Sequence, residues 1–228
     1  MSALITGIVD IHHDDGTYDL DDVARGGVVA LWHKATEGVT FRDPAFVTAM
    51  DRARSVGLLR GAYHFASGTS DAVEQAKAFL DDVAGLTDHE GILLALDLEG
   101  ALDSPKTMTT AEAARFVEYV HAVTGRWPVL YAGASKLRER ARKHADDLAR
   151  MARCPLWLAQ YGEMPTRVPD VWSSWSLWQY TNGTDGPRDR ERYPRKTPGF
   201  AREAQDRSAW RGTVEELRAW WLTCGRES

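Results

Sequence analysis

Cysteine is scarce in this chain of 228 residues: only Cys154 and Cys224 occur, far apart. Two such residues make no disulfide framework and have no metal-ligand spacing, so both read as free thiols, Cys154 beside a strand. Long apolar runs are also missing. No stretch approaches the roughly 18 apolar residues that span a bilayer, so no membrane insertion is expected. The first ten residues, Met1 to Asp10, lack the basic region, apolar region and cleavage site of a signal peptide. Basic charge is in deficit, with 28 Lys and Arg against 33 Asp and Glu for a net charge of −5. With no basic stripe interleaved with aromatics, nucleic acid is not an expected partner. Internal repeats and linkers are absent, which predicts a single domain over residues 1–228, acting as a monomer.

Tryptophan, by contrast, is plentiful, with nine in the chain. Such a number suits a large core or a cleft in which sugar rings stack on aromatic faces. The organising stretch is Gly91-Ile-Leu-Leu-Ala-Leu-Asp-Leu-Glu-Gly100. Ile92 to Leu96 has the length and continuous apolar character of a strand buried on both faces. Asp97 and Glu99 leave its C-terminal end two residues apart. In a strand they point the same way, with Cα atoms roughly 6.5 Å apart. Burial and mutual repulsion then predict that one of them holds its proton well above the ordinary carboxylic range. A protonated acid beside an ionised one is what glycosidic bond cleavage requires. A capping Asp beside a solvated Glu is the competing, structural reading.

Along the chain, strands are expected at Ile8–Val9, Val28–Lys34, Gly61–Phe65, Ile92–Leu96 and Pro128–Tyr131. Helical periods follow: Phe46, Met50 and Ala53; Val73, Ala76, Leu80 and Val83; Ala113, Phe116, Val117 and Val120; and one long helix from Ser135 to Met151. Thr109 with Glu112 and Thr213 with Glu216 have the spacing of capping boxes. Pro155–Gln160 and Trp175–Tyr180 read as strands with no helix between them, and Gln205-Asp206 as the start of an eighth. The alternation argues a parallel sheet, and eight strands close a barrel. The expected fold is therefore α/β, a single deviant TIM-like barrel of five β/α units followed by three strands lacking regular helices. Chemistry in such barrels sits at the C-terminal strand ends. Asp10, Lys34, Glu37, Tyr63, Asp97, Glu99, Tyr131, Gln160 and Tyr180 all fall there.

The strings IVDIHHDDG, HKATEG, DPAF, GLLRGAYHF, ALDLEG, PVLYAG, PLWLAQYG, SLWQYT and QDRSAWRGT, in this order, carry a resemblance. From about Gly7 to Gly212 the chain resembles glycoside hydrolase family 25, the Chalaropsis-type lysozymes. The resemblance implies a barrel of this deviant kind and hydrolysis, with retention, of the β-1,4 bond between N-acetylmuramic acid and N-acetylglucosamine. It implies no cofactor, and a peptidoglycan glycan strand as partner. By motif, Glu99 matches the general acid/base and Asp97 the carboxylate paired with it. Asp10 and Asp206 match acidic residues of the first and last strands. The chain departs at both ends, with His12 in a usual Ser position and with Gln205 and Ser208 replacing Val and Asn. Without a signal peptide, synthesis in the cytoplasm and action on cell-wall or periplasmic peptidoglycan after release or export by another route are expected.

On physical grounds Glu99 must protonate the leaving oxygen and later activate water. Asp97 is expected to stay ionised, facing positive charge at the anomeric carbon. The nucleophile is either a protein carboxylate or the substrate's own acetamido oxygen; the Asp-x-Glu pair suits the second. Tyr63, Tyr131 and Trp157 are candidates to stack on or bond to the sugar, with core packing the alternative for Trp157. Lys34 and Glu37 read as an ion pair shaping the cleft floor. Two rival classes are a non-catalytic glycan-binding barrel and a metal-dependent hydrolase suggested by His12-His13-Asp14-Asp15. Adjacent strand residues face opposite ways, and later strands supply no convincing further ligands, so no metal is expected. Finally, Asn182 to Glu203 reads as a long loop rich in cations (Arg188, Arg190, Arg192, Arg195, Lys196, Arg202). It is either a solvated surface or a guide for substrate carboxylates.

Overall fold

A computed structural model describes residues 4–165, 168–202 and 204–226. In chain order it runs β1 (Leu4–Ile11), α1 (Leu20–Arg25), β2 (Ala30–Glu37), β3 (Phe41–Arg42), α2 (Phe46–Ser55), β4 (Leu59–Phe65), α3 (Ala72–Ala84) and β5 (Leu93–Asp97). Then come α4 (Thr110–Thr124), β6 (Val129–Gly133), α5 (Ala134–Lys143), α6 (Ala145–Arg150), β7 (Leu156–Ala159), β8 (Leu177–Asn182), β9 (Asp206–Arg211) and α7 (Val214–Thr223). The sheet order is β1-β9-β8-β7-β6-β5-β4-β2-β3, and β1 also pairs with β2, so the sheet closes. β3 hangs on β2 outside the ring. The units β1/α1, β2/α2, β4/α3, β5/α4 and β6/α5–α6 are followed by β7, β8 and β9, with no helix between them among the described residues.

Not every strand is parallel, as the alternation had suggested. β9 runs antiparallel to both neighbours, β1 and β8. The chain reaches β9 from the end of β8 without a helical crossover, and a direct return of this kind is antiparallel. This reversal puts the start of β9, Asp206, at the same end of the barrel as the C-termini of the other strands.

Two apolar layers follow from strand alternation. The outer one lies between sheet and helices, and includes Val9, Leu31, Phe79, Leu96, Phe116 and Leu130. The inner one fills the lumen with Ile8, Trp32, Leu93, Ala95, Val129 and Trp157. Trp32 stacks on Trp157 with centroids 4.9 Å apart. Gly61 makes room for Trp32, since a Cβ there would lie 2.2 Å from the indole. α7 closes the bottom of the lumen with Leu217 and Trp221, and the Trp221 Nε1–H donates to the Arg60 carbonyl at 2.9 Å. Both expected capping boxes form, Thr109 with Glu112 and Thr213 with Glu216.

Two expectations need correcting, and one helix had no sequence reading: α1 lacks a long periodic pattern and is one short stretch capped by Asp19, whose side chain accepts from the Asp21 and Asp22 amides. β2 continues past Lys34 to Glu37, with a register shift between Lys34 and Thr36. The helix expected from Ser135 to Met151 breaks at His144, whose φ of −142° is not helical. Both buried cysteines are free. No helix of the described residues is long and apolar enough to cross a membrane.

Candidate active site

At the C-terminal end of the barrel lies a cleft of about 350 Å³ whose lining includes Asp10, Lys34, Glu37, Tyr63, Asp97, Glu99, Tyr131, Trp157 and Asp206. Strand register brings them together. Asp10 pairs with Asp206 across β1 and β9, and Asp97 sits between Phe65 of β4 and Tyr131 of β6. Past Asp97 the ladder holds for one more step, because the Leu98 amide donates to the Tyr131 carbonyl at 2.9 Å. Leu98 is fully buried in the outer layer, so Asp97 and Glu99 both turn to the cleft. Directly after Glu99 the chain turns at Gly100, with φ +92°. A Cβ there would lie 2.3 Å from the Thr107 hydroxyl, so glycine is required.

The cluster of Asp10, Asp97, Glu99 and Asp206 is short of counter-charge. Burial raises Asp97 well above the ordinary carboxylate range, the Glu99 charge adds to this, and Lys34 opposes it. Burial likewise raises Asp10, helped by Asp206 and opposed by a hydrogen bond from Gln179. Asp206 is pushed up to about 7, by burial first and then by Asp15, with Arg202 acting the other way. Glu99 reaches solvent through the open cleft mouth but is otherwise surrounded by protein. Its carboxyl is raised by that burial, and the Tyr131 hydroxyl works against the rise. The cluster therefore keeps protons at pH values where ordinary carboxylates have lost them. Glu99 is not singled out as the protonated member, since Asp97 is buried more deeply. Among the described residues, Asp10 Oδ1 and Asp97 Oδ1 are buried without a hydrogen-bond partner.

Lys34 bonds Glu37 and is clamped between rings, its Nζ 4.7 Å from the Phe65 centroid and 5.2 Å from that of Phe41. Tyr63 is buried in the cleft wall. Trp157 is only 2% exposed, meets Tyr131 edge-on at 4.8 Å, and donates its Nε1–H to Ser208 Oγ at 2.8 Å. It forms the floor of the cleft more than a stacking face.

Gln160 and Tyr180 do not join this group. The Tyr180 side chain lies in the outer layer and donates to the Pro194 carbonyl at 2.6 Å. Gln160 Nε2 makes only a long 3.4 Å contact to the Met164 carbonyl. In their place stands Gln179, which sequence reasoning missed. Its Nε2 donates to Asp10 Oδ2 at 2.8 Å, and its Oε1 accepts from the Tyr131 and Tyr161 hydroxyls at 2.8 and 3.1 Å. Strand alternation was the available signal, because Leu177 and Gln179 share one face of β8 and Tyr180 takes the other.

His12, His13 and Asp14 also reach the cleft, in a short 3-10 turn. Among the described residues they are a set whose ligand atoms lie within 4.8 Å of one another. Their ring nitrogens already have protein partners: His12 Nδ1 accepts from the Asp14 amide at 3.3 Å, and His13 Nδ1 bonds buried Asp43 at 2.8 Å. The cationic loop packs on the outside of the barrel. Tyr193 is buried there, and Phe200 bridges Tyr18. Arg195 binds the carbonyls of Thr184, Gly186 and Pro187, and Arg202 pairs with Asp15 at 2.7 Å. Neither is a free cation at the cleft rim. Arg188, Arg190 and Arg192 are exposed; Glu203, at the loop's end, lies outside the described residues.

Comparisons with known proteins bear on the fold and the family. Lysozyme M1 of Streptomyces globisporus is 28% identical over 200 residues, covering 81% of this chain and 66% of that protein. The N,O-diacetylmuramidase of Chalaropsis sp is 31% identical over 159 residues, covering 64% and 74%. The chain spans two thirds or less of the first curated relatives it matches, down to 55% of the autolytic lysozyme of Clostridium acetobutylicum. Among solved structures, the bacterial lysozyme from Streptomyces coelicolor shares the fold, with a TM-score of 0.79 at 24% identity over 98% of this chain and 99% of that one. The muramidase from Acremonium alcalophilum gives 0.73 at 28% identity over 94% and 97%. Residues 9–187 match the family model for glycosyl hydrolases family 25, a match that ends before Asp206. With that span matched, most of its length, the chain belongs to the glycosyl hydrolases family 25.

Proposed function

We propose that this protein is a peptidoglycan hydrolase, a muramidase cleaving the β-1,4 bond between N-acetylmuramic acid and N-acetylglucosamine with retention. What carries the reading is the Asp97/Glu99 pair, raised by burial, in a cleft that also gathers Asp10 and Asp206. Glu99, on the solvent side, protonates the leaving oxygen and later takes a proton from the attacking water. Asp97 lies deeper. Positive charge developing at the anomeric carbon draws it to its ionised form, where it faces either the sugar or an acetamido-derived cyclic intermediate. Of the two candidate nucleophiles, the acetamido oxygen suits this deep Asp, whose partnerless Oδ1 can accept its N–H. Asp10 and Asp206, held protonated by burial and like charge, lie where positive charge developing at the reacting carbon would favour their ionisation. Tyr63, Tyr131 and the Lys34/Glu37 pair line the sugar's path. One catalytic barrel acting as a monomer on a glycan strand, with no metal in the chemistry, completes the reading.

Purified peptidoglycan digested with the protein should yield fragments with new muramic acid reducing ends, at a rate that chelators leave unchanged. New glucosamine ends, free amines or no fragments would overturn the assignment.

A further inference from the structure

The hydrogen bonds around Gln179 have a fixed polarity. A glutamine side chain donates at one end and accepts at the other. Asp10 Oδ2, 2.8 Å away, accepts from the donating end, which leaves the partnerless Oδ1 for any proton that Asp10 keeps. The Oε1 end therefore faces the two phenols, Tyr131 at 2.8 Å and Tyr161 at 3.1 Å. Gln179 is 1% exposed, so no bulk water substitutes for these partners.

Tyr131 has one hydroxyl proton and two neighbours that can claim it, Gln179 Oε1 and the Glu99 carboxyl. With Glu99 protonated, its own O–H donates to the Tyr131 oxygen, and Tyr131 donates to Gln179. With Glu99 ionised, Tyr131 turns its proton onto the carboxylate. The Gln179 carbonyl is then not orphaned, because Tyr161 still donates to it. In both states every proton has an acceptor and the buried carbonyl has a donor.

We propose that Gln179 and Tyr161 are positioning residues that let the Tyr131 hydroxyl switch between Gln179 and Glu99 as Glu99 loses and regains its proton. The inference rests on the assignment of Glu99 as acid/base in the muramidase reading. When Glu99 gives its proton to the leaving oxygen, the Tyr131 O–H rotates to the new carboxylate. When that carboxylate takes a proton from water, the O–H swings back to Gln179. No covalent bond changes at either tyrosine. The titratable and charged groups facing Glu99 are Asp97 beside it, Asp206 from β9, Tyr131 from β6 and Tyr161 beyond β7.

Two substitutions should act in opposite directions. In Gln179→Leu, the Tyr131 proton loses its carbonyl acceptor. Of the acceptors left, the Tyr161 oxygen and the Glu99 carboxylate, the charged one is the stronger, so the carboxylate is favoured and Glu99 titrates lower. In Tyr161→Phe, Gln179 Oε1 has Tyr131 as its remaining phenol donor and competes for that proton, so Glu99 titrates higher. Each displacement should be roughly one pH unit, the size of one charge-assisted hydrogen bond gained or weakened. The readout is the 13C carboxyl shift of Glu99 in labelled protein without substrate, assigned with Glu99→Gln, beside the alkaline limb of the kcat/KM profile on peptidoglycan. Opposite displacements of the NMR titration support the switch. Displacement in the same direction, or none while turnover falls, overturns it. A wild-type protein that does not cut peptidoglycan refutes the muramidase reading separately, and the NMR titration still decides the switch. Should Gln179→Leu fail to fold, Tyr161→Phe at an exposed position decides alone: a Glu99 titration that stays put or falls overturns the proposal.

Discussion

Asp206→Asn tests whether the acid cluster is a source of instability held for function. Asp206 faces Asp10 across the β1–β9 ladder, and its carboxyl is raised from 3.8 to about 7 by burial and Asp15. A carboxyl raised in the folded state contributes nothing to the pH dependence of stability below its unfolded pKa, where both states hold the proton. Between about 4 and 7 the unfolded chain ionises and the folded one does not, so stability falls as pH rises; above 7 the loss is complete. A rise of this size corresponds to about 4 kcal/mol. Asp10 and Asp97 relax when one neighbour is neutralised, and the amide must still be hydrogen-bonded in a mostly buried place, so a gain on the order of 2–3 kcal/mol is expected at pH 8. Denaturant titrations of both proteins from pH 4 to pH 8 measure it. The variant should match wild type within error at pH 4, become the more stable form as pH rises, and level off above 7. Turnover should fall at every pH. An equal change at all pH values, or a loss of stability at pH 8, would refute the argument that Asp206 is held against its own ionisation.

Other expectations follow from the same geometry. Glu99→Gln keeps the shape and removes the titrating proton, so peptidoglycan turnover should drop by at least about a hundredfold with the denaturation midpoint unchanged or raised; near-normal turnover would remove Glu99 from the role. Trp221→Ala empties the base of the lumen, where the indole is fully buried, and should cost about 3–5 kcal/mol by denaturant melting. Arg190→Gln with Arg192→Gln removes exposed cations, and if these guide anionic peptidoglycan, the double variant should bind it more weakly with a flatter salt dependence. Binding curves that superpose at low salt would leave that loop as plain surface. Arg195→Gln should instead lower stability by roughly 1–3 kcal/mol, because the guanidinium ties together three loop carbonyls.

Much of the fold could be read locally. The apolar run before Asp97, the capping boxes at Thr109 and Thr213, and the alternation through five β/α units are set by neighbours within a few residues, and sequence reasoning reaches that far. The Asp97/Glu99 pair is legible for the same reason, since two residues on one strand share a face whatever surrounds them. Three features depended on distant parts of the chain. The direction of β9 follows from pairing with β1 and β8, and that reversal brings Asp206 to the cleft with Asp10. The inward turn of Gln179 and the outward turn of Tyr180 depend on the phase of β8 in the closed barrel; placing the site residue at the apparent strand end picked the wrong face. The raised acid of the Asp97/Glu99 pair could be expected from one segment, but the protonation of the wider cluster belongs to the assembled structure. It adds burial and the like charge of Asp10 and Asp206, which come from strands remote in sequence.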